Sequence, residues 1–277
     1  MTKRSILITG CSSGIGYDAA HTLHKRGWRV FATCRQDADC ERLRSEGLES
    51  FALDYADEAS ISGALAEVLS RTGGTLDAVF NNGAYASPGL VEDLPRQALR
   101  EIFEVNLFGQ FDLIRQVMPV MRAQNHGRII NNSSILGLTA LRVRGAYNAT
   151  KFAMEGLTDT LRIENHFTPL HFILIEPGPI TTRIRSNSQP HFERWIDWKN
   201  SPRRGFYEDV VIPRLYSDET KPQTFELPPS AVTTKLIHAL ESKRPKPRYY
   251  VTTPTYIMGM LKRILSTRML DAIARRG

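Results

Sequence analysis

The sequence predicts an α/β fold, a single Rossmann-type, doubly wound parallel sheet of about seven strands, with a lid insertion and a C-terminal amphipathic helix. Three observations predict it. Short apolar runs alternate with helical patterns from the start of the chain. Most of these runs are nearly continuous in Ile, Val, Leu and Phe, as strands buried on both faces are. The first run passes through a glycine-rich turn straight into a helical pattern.

Taken in order, residues 5–9, 29–33, 50–53, 76–81, 127–133 and 171–176 are expected as strands, and 249–251 as a further edge strand. Helices are expected over 14–26, 37–45, 58–71, 96–123 and 146–166. Alternation of this kind requires right-handed crossovers, which place helices on both faces of the sheet. Two stretches break the rhythm. Residues 183–227 are rich in proline, charge and aromatic side chains without a clear strand, and form the expected lid. Residues 256–276 form a basic amphipathic pattern with Met258, Leu261, Leu265, Met269 and Ala272 near one face. No repeat or linker divides the chain, so 1–277 is expected as one domain.

Composition excludes several classes. Apolar residues make up 42% and charged residues 23%, which argues against disorder. The cysteines are Cys11, Cys34 and Cys40, an odd and sparse set with no disulfide framework and no metal-ligand pair, so no metal site is expected. No run approaches ~18 uninterrupted apolar residues, which excludes a membrane-spanning helix. A strand beginning by Ser5 leaves no room for a secretory signal, and a cytoplasmic protein is expected. The net charge of +7 is local: residues 243–277 carry nine Lys/Arg against Asp271, and the rest of the chain nets −1. That distribution is no groove for nucleic acid, and no such partner is expected.

The glycine-rich turn reads Thr9-Gly10-Cys11-Ser12-Ser13-Gly14-Ile15-Gly16. Glycines there let the backbone approach a pyrophosphate at the positive end of the next helix. Gly10, Ser12, Ser13, Gly14, Ile15 and Gly16 are therefore expected to hold a dinucleotide. The second strand runs into Cys34-Arg35, where a site for NAD normally carries an acid for the ribose 2′-hydroxyl. Arg35 suits a 2′-phosphate instead, so NADP(H) is the expected cofactor; the alternative is a solvated surface arginine. Asp54 is expected at the adenine, or else as the cap of the following helix.

Tyr147 and Lys151 are spaced four apart at the start of a helix, hence on one face. A free tyrosine is ionised only about one part in a thousand at pH 7, and a neighbouring ammonium favours the phenolate. Such a tyrosine can give and take a proton. Ser134 ends a buried strand, where open α/β sheets place ligands; it is expected to polarise a substrate carbonyl, or else to cap a turn. Asn106 interrupts an apolar helical run, which is costly without partners; a water linked to Lys151 would explain it.

With these motifs in place, the chain resembles the short-chain dehydrogenases/reductases. Gly10, Gly14 and Gly16 match TGxxxGxG, and Tyr147 and Lys151 match YxxxK. Ser134 and Asn106 add to them, as does Pro177-Gly178-Pro179-Ile180-Thr181-Thr182, similar to PGxIxT. The resemblance is strong over 3–182 and loose beyond. It implies strand order 3-2-1-4-5-6-7 and hydride transfer between a nicotinamide and a carbonyl or alcohol carbon. Tyr147 would handle the proton, and Lys151 would also hold the nicotinamide ribose. Asn82, Pro177, Gly178, Ile180 and Thr182 would contact the cofactor. One departure is Asn81-Asn82-Gly83-Ala84, where the family usually has NNAG; it weakens the carry-over for Gly83 and Ala84 only.

Within the family the chain most resembles the retinol and 17β-hydroxysteroid dehydrogenase branch, and bacterial NADP-dependent aldehyde reductases. Phe192, Trp195, Trp198, Phe206 and Tyr207 crowd the lid, either lining a pocket for an apolar carbonyl substrate or packing the lid on the body. The basic tail is expected against the substrate pocket or a partner subunit, with contact to an anionic membrane as the other reading. The family often forms dimers or tetramers. Two rivals stand further off. A non-catalytic NADP(H) sensor would not need the proton machinery. A sugar-nucleotide epimerase or dehydratase has a different glycine spacing.

Overall fold

β1 (Ser5–Ile8) lies within a seven-stranded sheet in the computed structural model, which describes residues 3–217 and 224–275. The other strands are β2 (Arg29–Cys34), β3 (Glu49–Ala52), β4 (Ala78–Asn81), β5 (Gly127–Asn132), β6 (Leu170–Glu176) and β7 (Arg248–Tyr250). Their order is β3-β2-β1-β4-β5-β6-β7, and every neighbouring pair is parallel. The expected order and all seven strands are present, with ends moved by one or two residues.

Strand alternation divides the core in two. Ile6 and Ile8 of β1 face one layer with Val30, Ala32, Phe80, Ile130, Ile173 and Ile175. Leu7 faces the other with Phe31, Val79, Ile129 and Phe172. Each such side chain contributes about 1.5–3 kcal/mol when fully buried, so both faces need helices over them. The first layer is covered by α1 (Gly14–Lys25), α2 (Asp37–Ser45) and α10 (Ser230–Glu241), through residues such as Leu23, Leu43 and Leu236. The second is covered mainly by α3 (Glu58–Thr72) and α5 (Gly109–Ala123), through Ile61, Val68, Leu113 and Val117.

Three expectations need correction. The helix expected over 96–123 is α4 (Arg96–Phe103) joined to α5 by a π-helical turn, Glu104–Phe108, which holds Asn106. The helix α10 was not expected; its proline-flanked start in a lid-like stretch hid an apolar face of Val232, Leu236 and Leu240. The tail is two helices, α11 (Thr253–Ile264) and α12 (Thr267–Ala274), because Leu265 and Ser266 adopt extended backbone angles between them. The break resets the helical phase, so Met258, Leu261 and Leu265 are half-buried while Met269 and Ala272 are exposed. Tyr256 packs on Tyr250, and the Lys262 ammonium lies 5.0 Å from the Phe152 ring centroid, so the tail rests on its own chain. Met260 and Ile264 face outward.

α6 (Gly145–Glu164) follows β5 and carries Tyr147 and Lys151. The lid holds α7 (Gln189–Trp195), α8 (Arg204–Phe206), a π-helical turn Tyr207–Val211, and α9 (Ile212–Leu215). A backbone bridge between Ile180 and Leu227 closes its base. Residues 218–223 of the expected lid, and Arg276 of the expected tail, lie outside the described residues. Among the described residues no helix is long and apolar enough to cross a membrane.

Candidate active site

The C-terminal ends of β1, β4 and β5 converge, and the loops beyond them form the site. At β1 the chain turns through Gly10, which has φ +68°. A Cβ on Gly10 would stand 2.7 Å from Gly83 Cα, and one on Gly16 would stand 2.3 Å from the Gly10 carbonyl oxygen. Only glycine allows this crossing of two loops and a helix start. Ser13 precedes α1 in an extended conformation without capping its first turn, so the helix start is open to a ligand. Ile15 is half-buried against the core, and the Thr182 methyl lies over Gly14.

A hydrogen-bonded chain runs from this turn to the catalytic helix. The Asn82 amide donates to the Thr9 and Gly10 carbonyls at 3.0 and 3.2 Å. Asn82 Oδ1 accepts from the Asn132 amide at 2.9 Å, and the Lys151 ammonium donates to the Asn132 carbonyl at 2.7 Å. A second, buried ladder lies beneath: Tyr55 donates to Asn81, Asn81 to Asn131, and Asn131 to Thr158, at 2.7, 2.8 and 2.9 Å. Sequence reasoning singled out Asn82 but missed Asn131 and Asn132. The signal was present: each of two adjacent apolar strands ends in a pair of asparagines. In the shifted glycine loop, Gly83 N–H donates to Thr9 Oγ1 at 3.0 Å and its carbonyl accepts from Gln110 at 2.8 Å.

Tyr147 and Lys151 are both buried, with the Lys151 Nζ 5.4 Å from the Tyr147 ring centroid. Burial pushes the phenol up to about 12, against the Ser134 hydroxyl and the Arg144 guanidinium, which favour the phenolate. Burial pushes the Lys151 ammonium down to about 8, against the Glu155 carboxylate. Lys151 is not among the groups that favour the phenolate in the protein alone, where burial is the largest influence on the phenol.

Ser134 faces the phenol and accepts from Leu136 N–H at 3.1 Å, which is the expected turn cap. Asn106 is fully buried in its π-helical turn. Its amide oxygen accepts from Tyr85 N–H at 3.0 Å, and its nitrogen donates to the Tyr85 carbonyl at 2.8 Å. The loop after β4 therefore supplies partners for the buried amide.

At the far end, Arg35 is exposed just past β2, while Cys34 is buried and its thiol is pushed up to about 12 by that burial. A second cation, unforeseen, stands beside it: Arg42 donates to the Ser12 carbonyl at 2.7 Å and pairs with Asp39 and Glu46. Asp54 does not cap α3. Its carboxylate accepts from Ala56 N–H at 3.0 Å, and Asp57 caps the helix through Ala59 N–H. Along the far wall, the Pro177 carbonyl accepts from Ile135 N–H at 2.7 Å, and Gly178 passes under Thr252. Behind Lys151, Arg248 binds Glu155, Glu176 and Asp159, and Ser133 donates to Glu155.

The lid aromatics divide. Phe192 and Tyr207 are fully buried and pack the lid on Leu90 and Leu94, with Trp195 and Trp198 partly buried around them. Phe206 packs on the same cluster and also lines a pocket with Pro88, Leu141, Val211, Arg144 and Arg214. His191 stacks on Tyr85 with ring centroids 3.9 Å apart, and Arg194 pairs with Glu101 at 3.2 Å, which holds α7 on the body.

The family model for the short chain dehydrogenases matches residues 4–192. The oxidoreductase YbbO of Escherichia coli (strain K12), itself uncharacterized, is 35% identical over 272 residues, 98% of this chain and 94% of YbbO. Human retinol dehydrogenase 16 is 30% identical over 281 residues, 99% of this chain and 88% of that enzyme. A short chain dehydrogenase/reductase from Burkholderia phymatum, solved in complex with NAD, superposes with a TM-score of 0.76 at 23% identity, covering 94% of this chain and 92% of that one.

Proposed function

Because the chain belongs to the short-chain dehydrogenase/reductase family of oxidoreductases, we propose that it interconverts an aldehyde or ketone and the corresponding alcohol, with NADP(H) as hydride carrier and Tyr147 as general acid/base. The observation that carries this reading is the bonded chain Gly10–Asn82–Asn132–Lys151. It ties a glycine turn shaped for a pyrophosphate to the helix that bears a buried acid. The cradle fits a dinucleotide, since Gly10 and Gly16 have no room for a Cβ and the helix start beyond Ser13 is open.

When bound, the reduced nicotinamide supplies a hydride to the carbonyl carbon. The chain's own residues supply the rest. Tyr147 Oη gives its proton to the carbonyl oxygen as charge develops there, and later regains one from solvent. The Ser134 hydroxyl donates to the same oxygen and fixes its direction. Lys151, held by the Asn132 carbonyl, places a positive charge beside the phenolate that Tyr147 becomes. In the oxidative direction Tyr147 accepts the alcohol proton instead.

Preference for NADP(H) is supported by Arg35, exposed where the 2′-phosphate would lie, and by a neutral thiol in place of the acid that serves NAD. An apolar substrate body is supported by the Pro88, Leu141, Phe206 and Val211 walls. Consumption of NADPH against a panel of short polar and long apolar aldehydes and ketones tests the reading, with Tyr147→Phe as control. Full activity in that variant, or turnover of small sugars alone, would overturn it.

A further inference from the structure

Three positions before Tyr147, a pocket holds a cation with no counter-ion among the described residues. Arg144 is the residue before α6 and lies three positions from Tyr147, so its side chain starts on the same side of the helix. Its guanidinium keeps some contact with solvent yet is closely enclosed by protein, and no carboxylate among the described residues forms an ion pair with it. Among the described residues its charged neighbours are Arg214 and Arg185, and its other electrostatic neighbour is Tyr147 itself. Enclosure and both arginines push its pKa down, and an arginine side chain is not deprotonated in proteins.

The contrast with other arginines sharpens the point. Arg29 has Glu49, Arg26 has Glu241, and Arg248 has three carboxylates. An enclosed charge facing like charges is costly, and proteins tolerate it mainly where a ligand completes it. The backbone shows the same investment. Val143, just before Arg144, has φ +63°, a left-handed conformation that strains a β-branched residue by about 1–3 kcal/mol. Its carbonyl accepts from Gly89 N–H at 3.0 Å, and Arg144 itself bridges to Gly89, which locks the strained turn to the loop after β4.

From this geometry we infer that the carbonyl substrate bears a carboxylate, gripped by the Arg144 fork in the pocket shared with Arg214, while its hydrocarbon part lies on Leu141, Phe206 and Val211. The inference rests on the carbonyl-reductase reading above and adds an anionic group to it. Arg35 follows β2 and Arg144 follows β5, three positions apart in the sheet, so a 2′-phosphate read at Arg35 does not account for Arg144.

Turnover and binding test this separately. A homologous series of oxo-alkanoates and the methyl ester of each is reduced with NADPH by wild type, Arg144→Gln and Arg144→Lys. In parallel, the thermal shift of NADPH-saturated enzyme is read with hexanoate and with hexanamide. We expect the best acid to exceed its ester in kcat/KM by about tenfold or more, a ratio near one in Arg144→Gln, and an intermediate ratio in Arg144→Lys. Hexanoate, not hexanamide, should raise the wild-type Tm, and Arg144→Gln should lose that shift. Equal turnover of acids and esters by wild type would overturn the proposal, as would an acid preference or a hexanoate shift that survives Arg144→Gln. Failure to reduce any carbonyl would sink the reductase reading, and the hexanoate shift would still decide the subsite.

Discussion

The Lys151 ammonium is fastened to the Asn132 carbonyl at 2.7 Å, at the end of a strand whose neighbour carries Asn82. That bond spends one of three ammonium protons on the sheet and aims the remaining two. It also explains how a lysine can be 1% exposed and keep a charge: a polar acceptor replaces part of the lost water.

Tyr147→Phe removes the proton donor and little volume. We expect kcat for carbonyl reduction to fall by about a thousandfold, with NADPH affinity nearly unchanged when read by nucleotide fluorescence.

The pH profile follows from Lys151. Its pKa is pushed down to about 8, so its charge is present below that value and lost as pH rises through it. Carbonyl reduction at saturating NADPH should decline above about pH 8, and Lys151→Arg should remove that descending limb. Stability moves the opposite way. Between about 8 and the ordinary lysine value of 10.5 the unfolded chain holds a proton that the folded chain has released, so this group adds stability as pH rises there. The Tm gap between wild type and Lys151→Met should shift in favour of wild type from pH 7 to pH 9.5.

Arg35→Asp places an acid where a 2′-phosphate would lie. The ratio of kcat/KM with NADPH to that with NADH should fall by about tenfold or more. An unchanged ratio would leave Arg35 as a surface side chain.

Two glycines should respond oppositely to alanine. Gly63, exposed in α3 with nothing within 4 Å of a Cβ, should gain about 0.5–1 kcal/mol in urea unfolding. Gly16→Ala forces a methyl onto the Gly10 carbonyl, and should abolish nucleotide binding at any concentration where wild type is saturated.

Removing Arg248 leaves Glu155, Glu176 and Asp159 without their shared cation. Arg248→Met should cost about 3–5 kcal/mol at pH 8, and less near pH 5, because Glu176 is already pushed up to about 8 and takes a proton readily. Equal loss at both pH values in chemical denaturation would argue against charge as the cause.

Legibility in the sequence followed local physics. β1, its turn and α1 were readable because a buried strand, glycines of close approach and a helical period lie within one short stretch. Tyr147 and Lys151 were readable because one helical turn relates them. Asn132, Arg42 and Arg144 were not, since each acquires its role from a partner far along the chain or from the lack of one. Helix α10 hid behind two prolines, and the tail's break at Leu265 leaves no mark in hydrophobic spacing, which continues through it. The lid aromatics were ambiguous because packing and lining use the same side chains. Tyr207 and Phe206 belong to one cluster, and only the place of Phe206 in the wall of a pocket separates them.

The strained turn at Val143 ties two loops that follow different strands. A tether of that kind makes the mouth of the pocket answer to insertions on either side of it. Lengthening the loop near Gly89 would re-aim Arg144 without touching the helix that bears Tyr147. Descendants of this chain thus have a route to new substrates that leaves the reacting groups in register, and directed evolution has a hinge to aim at: residues 86–90 together with 139–144.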